Sequence, residues 1–242
     1  MLEQPRKAML LWNVEPEYDT ADPQATTRAL ARADTVIAFS PYRNGALEYA
    51  DAILPIAPFT ETAGTFVNCE GRAQSFNGTV RPAGEARPGW KVLRVLANLL
   101  GVAGFDYETP EQVRAEALPA DVAGQLSNKV ELTPTLTPAS AGGAERVADV
   151  PIYFSDPIVR RSPPLQATRA AQPPRALANA RTLEAFGVAA GHKVRARQGE
   201  ANALLDAALD DALPDGVVRI AAAHASVATL GPMFGPIALE RA

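Results

Sequence analysis

Three short apolar runs, separated by polar segments, lie in the first sixty residues. They are Ala8–Val14, Thr35–Phe39 and Ala52–Ile56. Each is apolar throughout instead of alternating with polar positions, which is typical of a strand covered on both faces. Between the first two runs, Asp22-Pro23 predicts an N-cap and a first-turn proline for a helix ending near Ala33. This order of strands and helices predicts an α/β fold with a parallel sheet.

The clearest helical pattern is GWKVLRVLANLLG, at Gly89–Gly101. Its apolar residues fall on one stripe, and Gly101 suits the left-handed position that ends a helix. The inward stripe consists of Trp90, Leu93, Leu96, Ala97 and Leu100. Residues 105–149 are rich in proline, threonine and small residues, which predicts a long connection.

The pattern changes again from Val150 onward. PIYFSDPIVRR predicts a strand, and Ala176–Phe186 predicts a helix that stops at Gly187. Three further strands are predicted at His192–Gln198, Ala203–Leu209 and Val217–Ala221. We therefore expect three regions: a partial α/β domain at 1–104, a linker at 105–149, and a small β-rich, barrel-like domain at 150–242. The first sheet has few strands, so we interpret it as the second half of a larger α/β domain.

Composition narrows the function classes. The chain has 242 residues and a formal charge of −4, so nothing in its charge indicates a nucleic-acid partner. One cysteine and two histidines fall short of the ligands that an iron–sulfur cluster or a closed zinc site needs. Ile220–Leu239 is uncharged and long enough to span a membrane, but its small residues and two prolines favour buried strand and loop.

Standard catalytic and cofactor motifs are missing from the sequence, among them the glycine-rich dinucleotide turn and the C-x-x-C pair. One segment, YADAILPIAPFTETAGTFVNCEGRAQ at Tyr49–Gln74, instead resembles a signature of the molybdopterin oxidoreductase superfamily. In that signature, a strand of the type ADvvLP leads into T-E-x-x-G-T-x-x-N-x-E-G-R-x-Q. The matching residues are Ala50, Asp51, Leu54, Pro55, Thr60, Glu61, Gly64, Thr65, Asn68, Glu70, Gly71, Arg72 and Gln74.

Other segments resemble a narrower family within that superfamily. They are KAMLLWNVEPEYD, PGWKVLRVLANLLG, IYFSDPIVRRSPPLQAT and the stretch from FGVAAGHKVRARQ to the end. They are similar to the C-terminal part of the large iron–sulfur subunits of bacterial NADH–quinone oxidoreductase, respiratory complex I. The resemblance implies that the intact subunit carries [2Fe–2S] and [4Fe–4S] clusters in a preceding region, whereas this segment holds no cofactor or metal.

The resemblance also implies partners and a location. The segment would pack among the peripheral-arm subunits, on the cytoplasmic side of the inner membrane, without a membrane span or catalytic residues of its own. Two alternatives stay open: a fragment of a molybdenum enzyme such as a formate dehydrogenase, and a freestanding scaffold protein.

The signature loop itself admits a structural and a functional hypothesis. Gly64 and Gly71 would give backbone freedom, Asn68 would bond its neighbours, and Glu61, Glu70 and Arg72 could form a charge-assisted pair. We interpret these residues, with Thr65 and Gln74, as scaffolding; the alternative is a pterin site.

Three other kinds of side chain are candidates for chemistry. Cys69 is expected to be a small buried side chain. His192 and His224 are expected to be hydrogen-bonded structural residues. Arg160 and Arg161 are interpreted either as a solvated pair or as a contact to a neighbouring subunit.

Overall fold

The fold is that of a computed structural model, which describes residue 4, residues 6–129, residue 131 and residues 143–242. Its strands are β1 (Ala8–Trp12), β2 (Thr35–Ser40), β3 (Ala52–Pro55), β4 (Gly64–Val67), β5 (Ala73–Phe76), β6 (Ala144–Val147), β7 (Ala176–Ala178), β8 (Lys193–Gln198), β9 (Ala201–Leu209), β10 (Val217–Arg219) and β11 (Phe234–Arg241). Its α-helices are α1 (Pro16–Asp19), α2 (Pro23–Leu30), α3 (Gly89–Leu99), α4 (Pro110–Ala117), α5 (Val122–Gln125), α6 (Pro157–Arg160), α7 (Pro163–Gln166) and α8 (Ala180–Ala185). Short 3₁₀ helices lie at Gly45–Glu48, Phe59–Glu61, Arg169–Ala171 and Ala225–Val227.

The chain forms two compact units, and neither is continuous in sequence. The barrel unit comprises Met1–Lys7, Val14–Asp34 and Thr137–Ala242, and the sheet unit comprises Ala8–Asn13 and Thr35–Leu136. The predicted boundaries at 104/105 and 149/150 stay a prediction. Of the predicted linker, Val130 and residues 132–142 lie outside the described residues. Its described parts contain the helices α4 and α5 and the strand β6.

The sheet unit contains the predicted parallel sheet, in the order β1-β2-β3. Asp51 joins the starts of β2 and β3: its Oδ2 accepts a hydrogen bond from the Val36 backbone N–H at 2.7 Å, and its own N–H donates to the Val36 carbonyl. Phe39 is 1% exposed and packs against Trp12, with the ring centroids 5.2 Å apart. These observations confirm the α/β prediction for this part of the chain.

Helix α3 also lies where the pattern predicts it. A Cβ at Gly89 would lie 2.6 Å from the Trp12 ring, so only glycine lets the helix begin this close to β1. The helix ends before Gly101, whose φ of 68° is in the left-handed region. Leu100, which was predicted to face inward, is 69% exposed. It lies past the last helical residue, Leu99, so the stripe no longer applies to it.

The barrel unit contains a closed six-stranded barrel in the order β10-β6-β11-β8-β9-β7. Alternate residues of β8 are buried, and the interior is filled largely by alanine, valine and leucine. The predicted β-rich, barrel-like region is therefore confirmed. Most of Ile220–Leu239 is loop with the 3₁₀ turn Ala225–Val227 and the first part of β11. Among the described residues, the structure contains no helix with the length and hydropathy needed to cross a bilayer.

Two predictions of secondary structure in this unit are wrong. The segment PIYFSDPIVRR is not a strand, because Asp156 caps α6 by accepting hydrogen bonds from the N–H groups of Ile158 and Val159. Ala176–Phe186 is not one helix, because β7 pairs with β9 before Asn179 caps α8. The N-cap predicted at Asp22 is confirmed, since its carboxylate accepts from the Ala25 N–H at 2.9 Å.

One charged side chain, Arg146 of β6, lies inside the barrel and is 2% exposed. Its guanidinium donates to the Gln198 side chain at 3.0 Å and to the carbonyls of Ile220, Gly231 and Pro232. Desolvation lowers the pKa of Arg146 to about 10, so it is still protonated at neutral pH. The cation therefore holds the segment between β10 and β11 by hydrogen bonds to neutral acceptors.

Replacing Arg146 with methionine should destabilise the barrel, because three backbone carbonyls would lose a charged donor. We expect a loss of about 2–4 kcal/mol in the free energy of unfolding, measured by urea denaturation. Glu145→Gln, on the outward face of the same strand, is the control and should change it by less than about 0.5 kcal/mol. A loss no larger for Arg146→Met than for the control would contradict this role.

Candidate functional site

The signature residues from Gly64 to Gln74 form a two-stranded hairpin in the sheet unit. Strands β4 and β5 are antiparallel, with Gly64 opposite Phe76, Thr65 opposite Ser75 and Phe66 opposite Gln74. The Thr65 and Ser75 hydroxyls are 3.0 Å apart and joined by a hydrogen bond. Phe66 and Phe76 stack at 5.1 Å. The hairpin thus has one polar and one aromatic cross-strand contact.

Asn68 organises the tip of this hairpin. Its Oδ1 accepts hydrogen bonds from the N–H groups of Glu70 at 3.0 Å and Arg72 at 2.9 Å. Glu70 and Arg72 lie 3.8 Å apart, and both side chains are about 70% exposed. Exposed pairs of this kind contribute little to stability. The expected bonding by Asn68 is confirmed, and the tip depends on it more than on the ion pair.

Glu61 does not join the predicted charge pair. It ends the 3₁₀ turn Phe59–Glu61, and its Oε2 accepts from the backbone N–H of Ala83 at 2.9 Å. Thr79 N–H donates to the Thr60 carbonyl nearby. Glu61 therefore fastens the segment after the hairpin to the turn before it, a long-range contact that sequence spacing did not reveal.

The two signature glycines are required for different reasons. Gly71 has a φ of 79°, as the backbone-freedom hypothesis predicts. Gly64 is not in the left-handed region; a Cβ there would lie 2.6 Å from the Phe76 ring. Glycine is therefore required at position 64 because the Phe76 ring leaves no room for a side chain, and not because of the backbone conformation.

Cys69 is exposed, so the prediction of a buried side chain is wrong. It lies beside Asn68 at the hairpin tip, where the side chains of Glu70 and Arg72 are exposed as well. Within the described ranges, no group of three or more histidine, cysteine, aspartate or glutamate side chains has the geometry to hold a metal.

A second polar cluster lies in the barrel unit, and no sequence pattern predicts it. Glu15, which is 2% exposed, accepts hydrogen bonds from Arg160 at 2.8 Å and pairs with Arg161. Asp19 pairs with Arg160 at 2.9 Å. Arg160 also lies over the Tyr18 ring, 5.0 Å from its centroid. We call these five residues the Glu15 cluster.

The Glu15 cluster overturns the interpretation of Arg160 as solvated, whereas a contact of the arginine pair to a neighbouring subunit stays a prediction. The Arg160 side chain is only 9% exposed, and Nε, Nη1 and Nη2 all donate to carboxylates or to the Phe154 carbonyl. The partners Glu15 and Asp19 precede it by more than 140 residues. Such a separation left no local pattern that pointed to the pairing.

Both histidines make the hydrogen bonds expected of structural residues. His192 Nδ1 accepts from the Ala189 N–H at 3.2 Å, and His224 Nδ1 accepts from the Ser226 N–H at 3.1 Å. The His224 ring lies 4.9 Å from Phe154, beside a cavity that Glu15, Arg160 and Arg161 also line. Burial lowers the pKa of His224. Its neighbour Ala223 has a φ of 61°, a conformation rare for a residue with a side chain.

Comparisons with known proteins bear on the first part of the chain. The family model described as molybdopterin oxidoreductase matches residues 1–99, which include β1 to β5 and the Asn68 hairpin. Residues 1–99, about two fifths of the chain, are therefore similar to the molybdopterin oxidoreductase family.

Two curated relatives carry oxidoreductase names. The probable oxidoreductase YjgC of Bacillus subtilis is 37% identical over 112 residues, which are 45% of this chain and 11% of the relative. A putative formate dehydrogenase of Staphylococcus haemolyticus is 32% identical over 88 residues, 36% of this chain and 9% of the relative. The chain therefore spans about a tenth of the length of these relatives.

A solved structure shares the fold over nearly the whole chain. Acetylene hydratase from Pelobacter acetylenicus matches 98% of this chain and 44% of its own, with a TM-score of 0.64 and 15% identity. The likeness includes the region after residue 99, where the family model does not match. At this identity, it shows the fold alone.

Breaking the Glu15 cluster should destabilise the barrel unit strongly. Glu15→Gln leaves the Arg160 side chain, which is 9% exposed, with less compensating charge, and we expect a loss of about 3–5 kcal/mol in the free energy of unfolding. The control is Arg181→Gln, which removes an exposed pair with Asp215 and should cost less than about 1 kcal/mol. Equal losses in the two variants by urea denaturation would show that the buried charges do not matter.

His224 should make stability depend on pH. Because burial lowers its pKa in the folded protein, the unfolded chain takes up the proton first, near its ordinary pKa of about 6.5. Above that pH, His224 is neutral in both states and does not lower the free energy of unfolding. As pH falls from there through the folded pKa, the unfolded chain is protonated before the folded protein, so the free energy of unfolding decreases. Urea midpoints between pH 7.5 and 5 should fall less for His224→Gln than for the unaltered chain. Parallel curves for the two proteins would exclude His224 as the titrating group.

Proposed function

We propose that this chain is a segment of the large iron–sulfur subunit of a bacterial NADH–quinone oxidoreductase. In this proposal it is scaffolding of the peripheral arm, and it supports electron transfer from NADH to quinone without a redox centre of its own. The iron–sulfur clusters would belong to another region of the intact subunit. Its partners would be the other peripheral-arm subunits, on the cytoplasmic side of the inner membrane.

The observation that carries the scaffolding role is how the signature residues use their polar atoms. Asn68 and Glu61 accept hydrogen bonds from backbone N–H groups of the sheet unit, and Thr65 bonds to Ser75. Asp51 is likewise bonded to the backbone of Val36. Side chains occupied in this way hold the hairpin and the sheet in place, and they have fewer atoms left for a ligand.

The narrower assignment to complex I is supported by segments outside the signature. One is IYFSDPIVRRSPPLQAT, which includes Arg160 and Arg161, and another is the barrel sequence from FGVAAGHKVRARQ to the end. The first of these segments provides the cations of the Glu15 cluster, so the part that carries the resemblance also organises the barrel unit.

A second candidate, a fragment of a molybdenum enzyme of the formate dehydrogenase kind, is favoured by the name of the Staphylococcus relative. The two candidates differ in what the intact gene product would contain. A molybdenum enzyme would purify with molybdenum and a pterin, whereas the complex I subunit would contain iron and sulfide but neither of these.

Co-purification from the native organism tests the proposal. An affinity tag on the C-terminal end should recover NADH dehydrogenase subunits and NADH-oxidising activity, with molybdenum below about one atom per ten chains. Recovery of stoichiometric molybdenum and pterin without those subunits would favour the second candidate instead. A tagged chain that recovers neither set would identify a freestanding scaffold.

The scaffolding role has a further test in the intact complex. Asn68→Ala removes the acceptor for two backbone donors and should lower the amount of assembled complex, leaving NADH turnover per assembled complex unchanged. Glu70→Gln, which alters only an exposed pair, is the matched control and should change neither quantity. Lower turnover per complex in Asn68→Ala would point to a catalytic contribution of the hairpin.

A further inference from the structure

The sheet unit contains a cavity of about 270 Å³, whose lining includes Gly64, Thr65, Ser75 and Phe76 of the hairpin. Its walls come from the β4–β5 hairpin, the first turn of α3 and helix α4. These elements are separated in sequence, so the cavity forms only when the sheet unit folds. Cavities of this kind, apolar with a few converging polar groups, are the usual binding sites for small molecules.

The inner part of the cavity is apolar and includes two aromatic rings. Phe76 and Trp90 line it together with Val113 and Leu118, and all four side chains are half-buried. Gly64 has no room for a Cβ because the Phe76 ring lies against its backbone. The signature glycine thus fixes the position of one aromatic wall. A flat ring could pack against such surfaces.

The rim of the cavity carries one charge of each sign. Glu111 and Arg114 both line it, and their spacing of three places them on the same side of α4. Arg114 Nη1 donates to the Ser75 hydroxyl at 2.5 Å, which orients the guanidinium. Within the part of the chain that the structure describes, neither Glu111 nor Arg114 takes part in an ion pair. Both charges are exposed at the entrance.

We propose that this cavity binds a small aromatic zwitterion of the free aromatic amino acid class. The ring packs against Phe76 and Trp90, the carboxylate accepts hydrogen bonds from Arg114, and the ammonium group donates to Glu111. A simple aromatic acid would leave Glu111 near its carboxylate, and an amine would leave Arg114 near its ammonium group; each arrangement is repulsive. This site goes beyond the scaffolding function, and neither proposal depends on the other.

The test uses the full ¹⁵N-labelled chain and four probes followed by amide chemical shifts. L-Phenylalanine should shift amides of β4, β5 and α4 saturably, with a Kd on the order of 1 mM for a ligand of this size. Three matched probes each lack one recognised group: 3-phenylpropionate lacks the ammonium group, phenethylamine the carboxylate and L-alanine the ring. Each should bind at least about tenfold more weakly.

Substitutions complete the test. Arg114→Met and Glu111→Gln should each weaken L-phenylalanine binding by about tenfold or more, whereas Glu116→Gln on the same helix should leave it within about twofold. All three positions are exposed, and unchanged spectra elsewhere would show that the fold is kept. The proposal is overturned if L-phenylalanine shifts nothing at 10-fold the expected Kd (about 10 mM) or shifts only distant residues. It is also overturned if 3-phenylpropionate binds equally well or both cavity variants bind normally.

Discussion

The barrel unit depends on the burial of one carboxylate, Glu15. A charge that is 2% exposed is costly unless donors surround it, and here two arginines supply them. The N–H groups of Arg160 that do not donate to Glu15 donate to Asp19 and to the Phe154 carbonyl, so each has an acceptor. The cluster joins Val14–Asp34 to the segment around α6, which explains why residues from the start of the chain belong to the same compact unit as its end.

The sheet unit shows how a family signature can be understood from local physical chemistry. Asp51 aligns two parallel strands, Gly64 admits an aromatic ring, Asn68 closes the hairpin tip and Gly71 adopts a left-handed conformation. Each task involves backbone atoms or close packing, where few residue types would serve. The same hairpin forms one wall of the aromatic cavity, so positions that hold the fold also shape the proposed binding site.

Sequence patterns predicted the elements whose causes are local. The runs that became β1, β2 and β3, the Asp22 cap and helix α3 were all predicted, because an apolar run, a helix cap and a helical stripe each consist of residues close together in sequence. The cap at Asp156 has the same Asp-Pro form, yet the apolar residues around it suggested a strand. The Glu15 cluster, the Glu61 contact to Ala83 and the barrel position of Arg146 were not predicted. All three join residues too distant for any periodicity to connect.

The order of synthesis gives the Glu15 cluster a further consequence. Glu15 leaves the ribosome 145 residues before Arg160, so at about 5–20 residues per second its carboxylate spends roughly 7–30 s without this partner. During that time the sheet unit can complete β1, β2 and β3, since all of these precede residue 56. The helices α1 and α2, in contrast, cannot form the contacts of the Glu15 cluster until Arg160 has been synthesised. Their docking is therefore a late step of biogenesis, reached only after most of the chain exists.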